Sequence, residues 1–153
     1  MKTFWRISSY PDLRGEGGRI GSARWHTRGR PVVYLTDSPA SAMLERIVHL
    51  QDGSGKLPQA YDLLKVVAPE TIEIRDLLPL ASADWKETIG ATQRLGDMWL
   101  ASLETSLARV PSAIMPYTWN YLLNPAHPQA EQITITEIIR ERFDNRLFRF
   151  GPR

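Results

Sequence analysis

The sequence predicts a single α+β domain with mixed or antiparallel sheets and flanking helices. Strand-like and helix-like segments are interspersed without the regular strand–helix–strand alternation of a doubly wound fold. No internal repeat and no long linker divides the 153 residues. A chain of this size buries roughly 70% of its unfolded surface, which is enough for one core without metal or disulfide. We therefore expect residues 1–153 to form one domain.

The elements are predicted from residue pattern. Runs of β-branched and aromatic residues between turn residues indicate strands at 3–7, 31–36, 60–69, 71–77, 109–116, 132–138 and 146–150. Helices are expected at 37–53 and 86–102, and a loop with a helical turn at 118–129. Segment 11–30 contains five glycines, which is typical of a loop that bends sharply or approaches a ligand closely.

The first helix is predicted residue by residue. Ser38 can cap it, Pro39 occupies its first turn and Gly53 follows its end. Its apolar stripe consists of Met43, Leu44, Ile47, Val48 and Leu50. Glu45 lies off the centre of this stripe, so we expect it at a rim or cleft. The second helix should turn five side chains inward, namely Ile89, Leu95, Met98, Trp99 and Leu100, although Gly90 and Gly96 reduce its propensity.

Composition restricts the class of protein. The absence of cysteine excludes disulfides, thiolate zinc sites and cysteine nucleophiles, and it favours a reducing cytoplasm. No segment resembles a signal peptide or a membrane span, so we expect a cytoplasmic chain. Residues 1–30 carry seven basic groups and two acidic ones, a local charge of +5. This excess indicates either an anion-binding site or a solvated surface.

Several kinds of reaction centre are not supported. The histidines at 26, 49 and 127 have no metal-ligand spacing, so we expect no metal. The stretch "GEGGRIG" lacks the lysine and hydroxyl residue of a phosphate loop and opens no evident helix. What remains is arginines near a strand, a tyrosine in the strand and a glutamate one turn into a helix. Such groups can hold a pyrophosphate, stack a planar ring and stabilise an oxocarbenium ion, which together suit cleavage of a nicotinamide glycosidic bond.

Three blocks of the sequence are "GSARWHTRGRPVVYLTDSPASAMLE", "VPSAI" and "NYLLNPAHP". Together they resemble the signature of the RES domain, the toxin of RES–Xre toxin–antitoxin pairs. The family's arginine, tyrosine, glutamate and serine fall on Arg24, Tyr34, Glu45 and Ser112. The resemblance implies an ADP-ribosyltransferase-like fold and consumption of NAD+ as substrate, by hydrolysis, phosphorolysis or transfer of ADP-ribose to a protein. It also implies an Xre-type antitoxin that covers the active site. In such a pair the antitoxin binds DNA, and this chain does not.

The resemblance allows roles to be assigned as hypotheses. Arg24 would bind the NAD+ pyrophosphate, with Arg6 or Arg28 as a second fork. Tyr34 would stack on the nicotinamide or its ribose, and Glu45 would bond the 2′-hydroxyl and stabilise positive charge on the ribose. Ser112 would orient the nicotinamide or the glutamate.

Each of these residues also has an ordinary structural interpretation. Arg24 suits a strand surface, Tyr34 a half-buried strand position, and Glu45 an i,i+4 pair with His49. Ser112 suits a turn, and Trp25 suits packing beneath the site. We expect Asn120 and Asn124 to brace the loop around "NPAHP". A second functional hypothesis is a non-enzymatic module that binds nucleic acid or a partner protein through the basic N-terminal segment.

Overall fold

The computed structural model describes residues 1–50, 58–79 and 84–148. Its strands are β1 (Lys2–Ile7), β2 (Val33–Thr36), β3 (Ala60–Ala68), β4 (Ile74–Asp76), β5 (Leu107–Pro111), β6 (Trp119–Leu123) and β7 (Thr134–Arg142). Its helices are α1 (Glu16–Ile20), α2 (Pro39–Leu50) and α3 (Ile89–Ser102), and 3₁₀ turns cover Pro128–Gln132 and Asn145–Phe148.

The seven strands form one mixed sheet in the order β4-β5-β6-β2-β1-β3-β7. The pair β4–β5 is parallel and the other pairs are antiparallel. Hydrophobic clusters cover both faces of this sheet. One contains Phe4, Val33, Leu35 and Leu64, and the other contains Trp25, Val110 and Leu122 together with Trp99 and Leu100 of α3. The predicted α+β class with a mixed sheet and flanking helices is confirmed.

Most predicted elements are present, with shifted ends. The strands at 3–7, 31–36, 60–69, 71–77 and 132–138 correspond to β1, β2, β3, β4 and β7, and the strand at 109–116 is shortened to β5. Ser38 caps α2 through its side-chain oxygen, which accepts the Ser41 amide N–H at 3.1 Å. The predicted stop at Gly53 lies outside the described residues.

Three local predictions are wrong. Segment 118–129 contains β6, which lies between β5 and β2 in the middle of the sheet. Residues 146–148 form a 3₁₀ turn instead of a strand, and 149–150 lie outside the described part of the chain. The glycine-rich loop contains the one-turn helix α1, where Gly15 adopts a φ of 74° and lies so close to Val32 that a side chain would clash.

The buried face of α3 also differs from the prediction. Trp99 and Leu100 are buried, but Ile89 is 45% exposed and Met98 is 71% exposed. The helix instead turns Thr92 and Gly96 inward. They precede Trp99 by seven and three residues, which places all three on one helix face. Position 96 is glycine because the backbone of Trp25 lies directly against the helix there. Thr92 faces the same segment and donates its hydroxyl to the Arg24 carbonyl.

In the three described ranges, no helix is long and apolar enough to cross a membrane.

Candidate active site

A cleft of about 600 Å³ opens where β1 and β2 separate. The two strands share one register pair, Trp5 opposite Thr36. If the antiparallel ladder continued, Arg6 would pair with Leu35, and Ile7 would pair with Tyr34. All four instead line the cleft, whose other walls come from α2 and the loop after α1. The separation of the strands therefore creates the space for a ligand.

Helix α2 presents Glu45 to this cleft, as its position beside the apolar stripe predicts. Two side chains from the far side of the cleft hold the carboxylate. Asn120 donates from Nδ2 to Oε1 at 2.8 Å, and the Ser112 hydroxyl donates to the same oxygen at 3.4 Å. In the described chain, Oε2 has no hydrogen-bond donor. The carboxylate thus has one fixed oxygen and one available oxygen.

Ser112 both forms a turn and contacts Glu45, so two of its predicted roles occur together. It is 5% exposed and directly follows β5. Its Oγ accepts the backbone N–H groups of Ile114 and Met115 at 3.1 and 3.2 Å, which forms a turn. Its neighbours Pro111 and Ala113 line the cleft, but Ser112 itself is not among the lining residues. Its contact is therefore with the glutamate.

Tyr34 lies on the sheet floor of the cleft, and its hydroxyl makes two hydrogen bonds within the protein. The oxygen accepts the Trp25 backbone N–H at 3.2 Å and lies 2.8 Å from Nδ1 of His26. The other ring nitrogen of His26 is 2.7 Å from the Gly21 carbonyl, so a neutral ring donates there and accepts from Tyr34. Burial raises the pKa of Tyr34, which keeps the phenol protonated. The ring of Tyr34, not its hydroxyl, is available to a ligand.

Arg24 lines the same cleft on a segment held by α3. Thr92 donates its hydroxyl to the Arg24 carbonyl at 2.5 Å, and Gln93 donates to the Ala23 carbonyl at 2.9 Å. The guanidinium donates to the Lys86 carbonyl at 2.7 Å and lies 5.9 Å from the ring of Trp85. These bonds leave most of its N–H donors available.

Ion pairs neutralise only part of the N-terminal charge excess. Four of its seven basic groups form ion pairs: Lys2 with Glu70, Arg14 with Asp12, Arg19 with Glu16 and Arg30 with Asp97. Arg6, Arg24 and Arg28 have no carboxylate within 4 Å in the described structure. Arg6 and Arg24 line the cleft, whereas Arg28 is exposed outside it. Two of the three unpaired arginines of this segment therefore line the cleft.

Burial lowers the pKa of Arg6, with the charge of Asp12 opposing this shift and that of Arg46 adding to it. An arginine nonetheless stays cationic in proteins. Arg46 follows Glu45 on α2 and lines the cleft as well. Among the described residues, the cleft therefore combines three arginines with one carboxylate, a composition suited to an anionic ligand in which positive charge develops.

Sequence reasoning missed two residues of this site. Asn120 does not brace the "NPAHP" loop, because it lies on β6 and bonds Glu45. Asn124 does brace that loop, since it donates to the Leu100 carbonyl and accepts the Ala126 N–H. His26 is 2% exposed and orients Tyr34.

The predicted i,i+4 pair of Glu45 with His49 does not occur among the described contacts. No group of three metal-ligating side chains occurs in ranges 1–50, 58–79 and 84–148.

The family model described as the RES domain matches residues 3–144. The chain belongs to this family, which confirms the resemblance found in its sequence blocks. "Toxin Res" of Pseudomonas putida is 44% identical over 144 residues, covering 94% of this chain and 98% of the relative. "Prs ADP-ribosylating toxin" of a Sphingobium species is 34% identical over 165 residues, covering 96% of this chain and 97% of the relative.

A solved structure has the same fold. The toxin–antitoxin complex MbcT–MbcA of M. tuberculosis contains a chain that matches this one with a TM-score of 0.69. The match covers 92% of this chain and 84% of that chain at 20% sequence identity. The fold of this chain is therefore one already known in a toxin–antitoxin assembly.

Proposed function

We propose that this chain is the toxin of a toxin–antitoxin pair and that it breaks the nicotinamide–ribose bond of NAD+ in the cleft between β1 and β2. One observation carries the proposal: Arg24, Tyr34 and Glu45 line a single cleft of about 600 Å³. The name of one relative, a Res toxin, supports the role of toxin, and the name of another, an ADP-ribosylating toxin, supports a reaction that releases nicotinamide.

The residues can be assigned to parts of the substrate. Arg24, with Arg6 as a second cation, binds the pyrophosphate through its fork of N–H donors. The ring of Tyr34 packs against the nicotinamide or its ribose. Oε2 of Glu45 accepts the ribose 2′-hydroxyl, since Oε1 is already bonded within the protein. Arg28 is exposed outside the cleft and has no contact with substrate in this arrangement.

The bond between C1′ and the pyridinium nitrogen breaks heterolytically, and its electron pair goes to the nitrogen. Neutral nicotinamide leaves, and positive charge moves to the ribose, where the Glu45 carboxylate stabilises it. An acceptor oxygen or nitrogen then bonds C1′ and loses a proton. The acceptor is water, phosphate or a protein side chain.

An Xre-type antitoxin is the proposed protein partner. It would cover the cleft, whose unpaired arginines favour an acidic or polar segment. The toxin would act on the cytoplasmic NAD+ pool, and DNA binding would belong to the antitoxin. Salt-sensitive binding of nucleic acid by the isolated chain would instead favour the second hypothesis, a non-enzymatic module that binds through the basic N-terminal segment.

Product analysis tests the proposed function. The purified chain is incubated with NAD+, with and without phosphate, in buffer and in a cell extract, and the products are identified by mass spectrometry. We expect release of nicotinamide. Free ADP-ribose, ADP-ribose-1″-phosphate or a modified protein identifies the acceptor. Unaltered NAD+ under all conditions would contradict the proposal.

Arg24 and Arg28 form a matched pair of variants on the same segment. We expect Arg24→Ala to weaken NAD+ binding by on the order of 10-fold to 100-fold, because a charge-assisted bond to phosphate contributes roughly 1.5–3 kcal/mol. Arg28→Ala should leave binding within about twofold, since this side chain is exposed away from the cleft. Calorimetric titration with a non-hydrolysable NAD+ analogue measures both. Equal losses for the two variants would remove Arg24 from the pyrophosphate site.

A further inference from the structure

We infer that Asn120 is the positioning residue of the site, which acts through Glu45 and sets which carboxylate oxygen faces the substrate. This inference rests on the proposed function, because it assigns Glu45 to the reacting ribose. It concerns a residue outside the arginine, tyrosine, glutamate and serine of the sequence blocks.

The hydrogen bonds at Glu45 give the first argument. Both donors converge on Oε1, and the Asn120 bond, at 2.8 Å, is shorter than the Ser112 bond, at 3.4 Å. The Ser112 oxygen already accepts two backbone N–H groups, which fixes the hydroxyl in its turn. Asn120 therefore provides the better bond, and it determines the rotation of the carboxylate about its last torsion. With Oε1 held on the sheet side, Oε2 is left for the ribose.

The position of Asn120 in the sheet gives the second argument. It lies on β6 directly opposite Val110 of β5 and Thr36 of β2. Strands on both sides thus fix its backbone, whereas Glu45 lies on a helix and has a long side chain. A short side chain on a central strand is a rigid support for a group that must be held within a fraction of an ångström.

The other end of the Asn120 amide gives the third argument. Its Oδ1 is buried and has no hydrogen-bond partner in the described chain. A buried acceptor without a partner lowers stability, so the fold alone favours an apolar side chain here. The only bond that the side-chain amide makes among the described residues is the one to Glu45. Asn120 therefore serves the carboxylate and not the sheet.

The test is Asn120→Leu, a substitution of similar size, compared with Asn124→Ala as a matched control four residues along the chain. We expect Asn120→Leu to lower kcat for nicotinamide release by on the order of 100-fold, since a misplaced catalytic group costs about this much. The KM for NAD+ should stay within about twofold, and the Tm should be unchanged or higher. Asn124→Ala should lower the Tm, because its amide braces a loop, and leave kcat unchanged.

A double variant separates positioning from an independent effect. In a Glu45→Ala background, Asn120→Leu should produce no further loss of kcat, because the side chain through which Asn120 acts has gone. An additive loss, a wild-type kcat in Asn120→Leu, or a loss explained by a lower Tm would each overturn the inference.

A spectroscopic measurement tests the contact independently of turnover. The side-chain amide protons of Asn120 should shift upfield in the ¹H–¹⁵N spectrum of Glu45→Ala, while those of Asn124 stay in place. An unchanged Asn120 resonance would overturn the inference even if the chain consumes NAD+. A shifted resonance in a chain that releases no nicotinamide would retain the contact and refute the proposed function, so the two failures are distinguishable.

Discussion

Replacing Glu45 by glutamine is expected to lower NAD+ turnover by roughly 100-fold to 1000-fold, the usual loss for one preorganised charged group. Glutamine keeps the size of the side chain and an oxygen that can accept from Asn120 and Ser112. It removes the negative charge that stabilises the ribose as nicotinamide leaves. The effect should therefore fall on kcat, with little change in substrate binding.

Nicotinamide release measured by liquid chromatography gives kcat and KM for this variant. The matched control is Glu73→Gln, which removes an exposed carboxylate outside the residues that line the cleft. The control should keep wild-type kinetics, and both variants should keep the wild-type melting temperature. Full activity in Glu45→Gln would remove the carboxylate from the mechanism.

Substituting Gly96 by alanine is expected to destabilise the protein, although alanine favours helices by about 1 kcal/mol. A Cβ at this position of α3 would lie 1.7 Å from the carbonyl oxygen of Trp25. Because that atom belongs to the backbone, the helix or the segment carrying Arg24 must move. Overpacking of this kind costs about 1–3 kcal/mol. The same displacement should lower NAD+ turnover by on the order of 100-fold, because Arg24 leaves its position.

Gly90→Ala is the matched control on the same helix, since a Cβ there meets only the end of Arg94 at 3.7 Å. It should keep turnover and raise the free energy of unfolding by up to about 1 kcal/mol. Urea unfolding and initial rates measured on the same samples compare the two variants. A Gly96→Ala variant as stable and active as Gly90→Ala would show that α3 does not hold the Arg24 segment.

Sequence pattern predicted those parts of the fold whose signals are local. The Ser38 cap, the alternating strand β7 and the placement of Glu45 beside the stripe of α2 all depend on a few neighbouring residues. The strand β6 was missed because the turn signals of "NPAHP" outweighed the four apolar residues that surround Asn120. It is a strand because β5 and β2 pair with it on both sides, and this tertiary effect leaves no local signal.

The inward face of α3 was missed for a related reason. Hydrophobicity predicts that Met98 and Ile89 are buried, but the close contact with the Trp25 backbone requires glycine at position 96. A glycine within a helical pattern can mark such a close approach.

The candidate site was only partly predictable. The family resemblance selected Arg24, Tyr34 and Glu45, and the structure brings all three to one cleft. The support from Asn120 and His26 was not predicted, because each acts through a side-chain hydrogen bond that sequence spacing does not show. Asn120 bonds Glu45 of α2, and His26 bonds Tyr34 of β2. Two signals were available for Asn120: it opens the block "NYLLNPAHP", and it stands between two aromatic residues in "WNY", although amides are rare inside strands.

A crystal structure of the Glu45→Gln chain with NAD+ tests the central claim most directly, because the variant should bind the dinucleotide without cleaving it. We predict the pyrophosphate against Arg24, the ring of Tyr34 against the nicotinamide or its ribose, and residue 45 beside the ribose 2′-hydroxyl. A cleft left empty at saturating NAD+, or a dinucleotide bound elsewhere on the chain, would contradict the account.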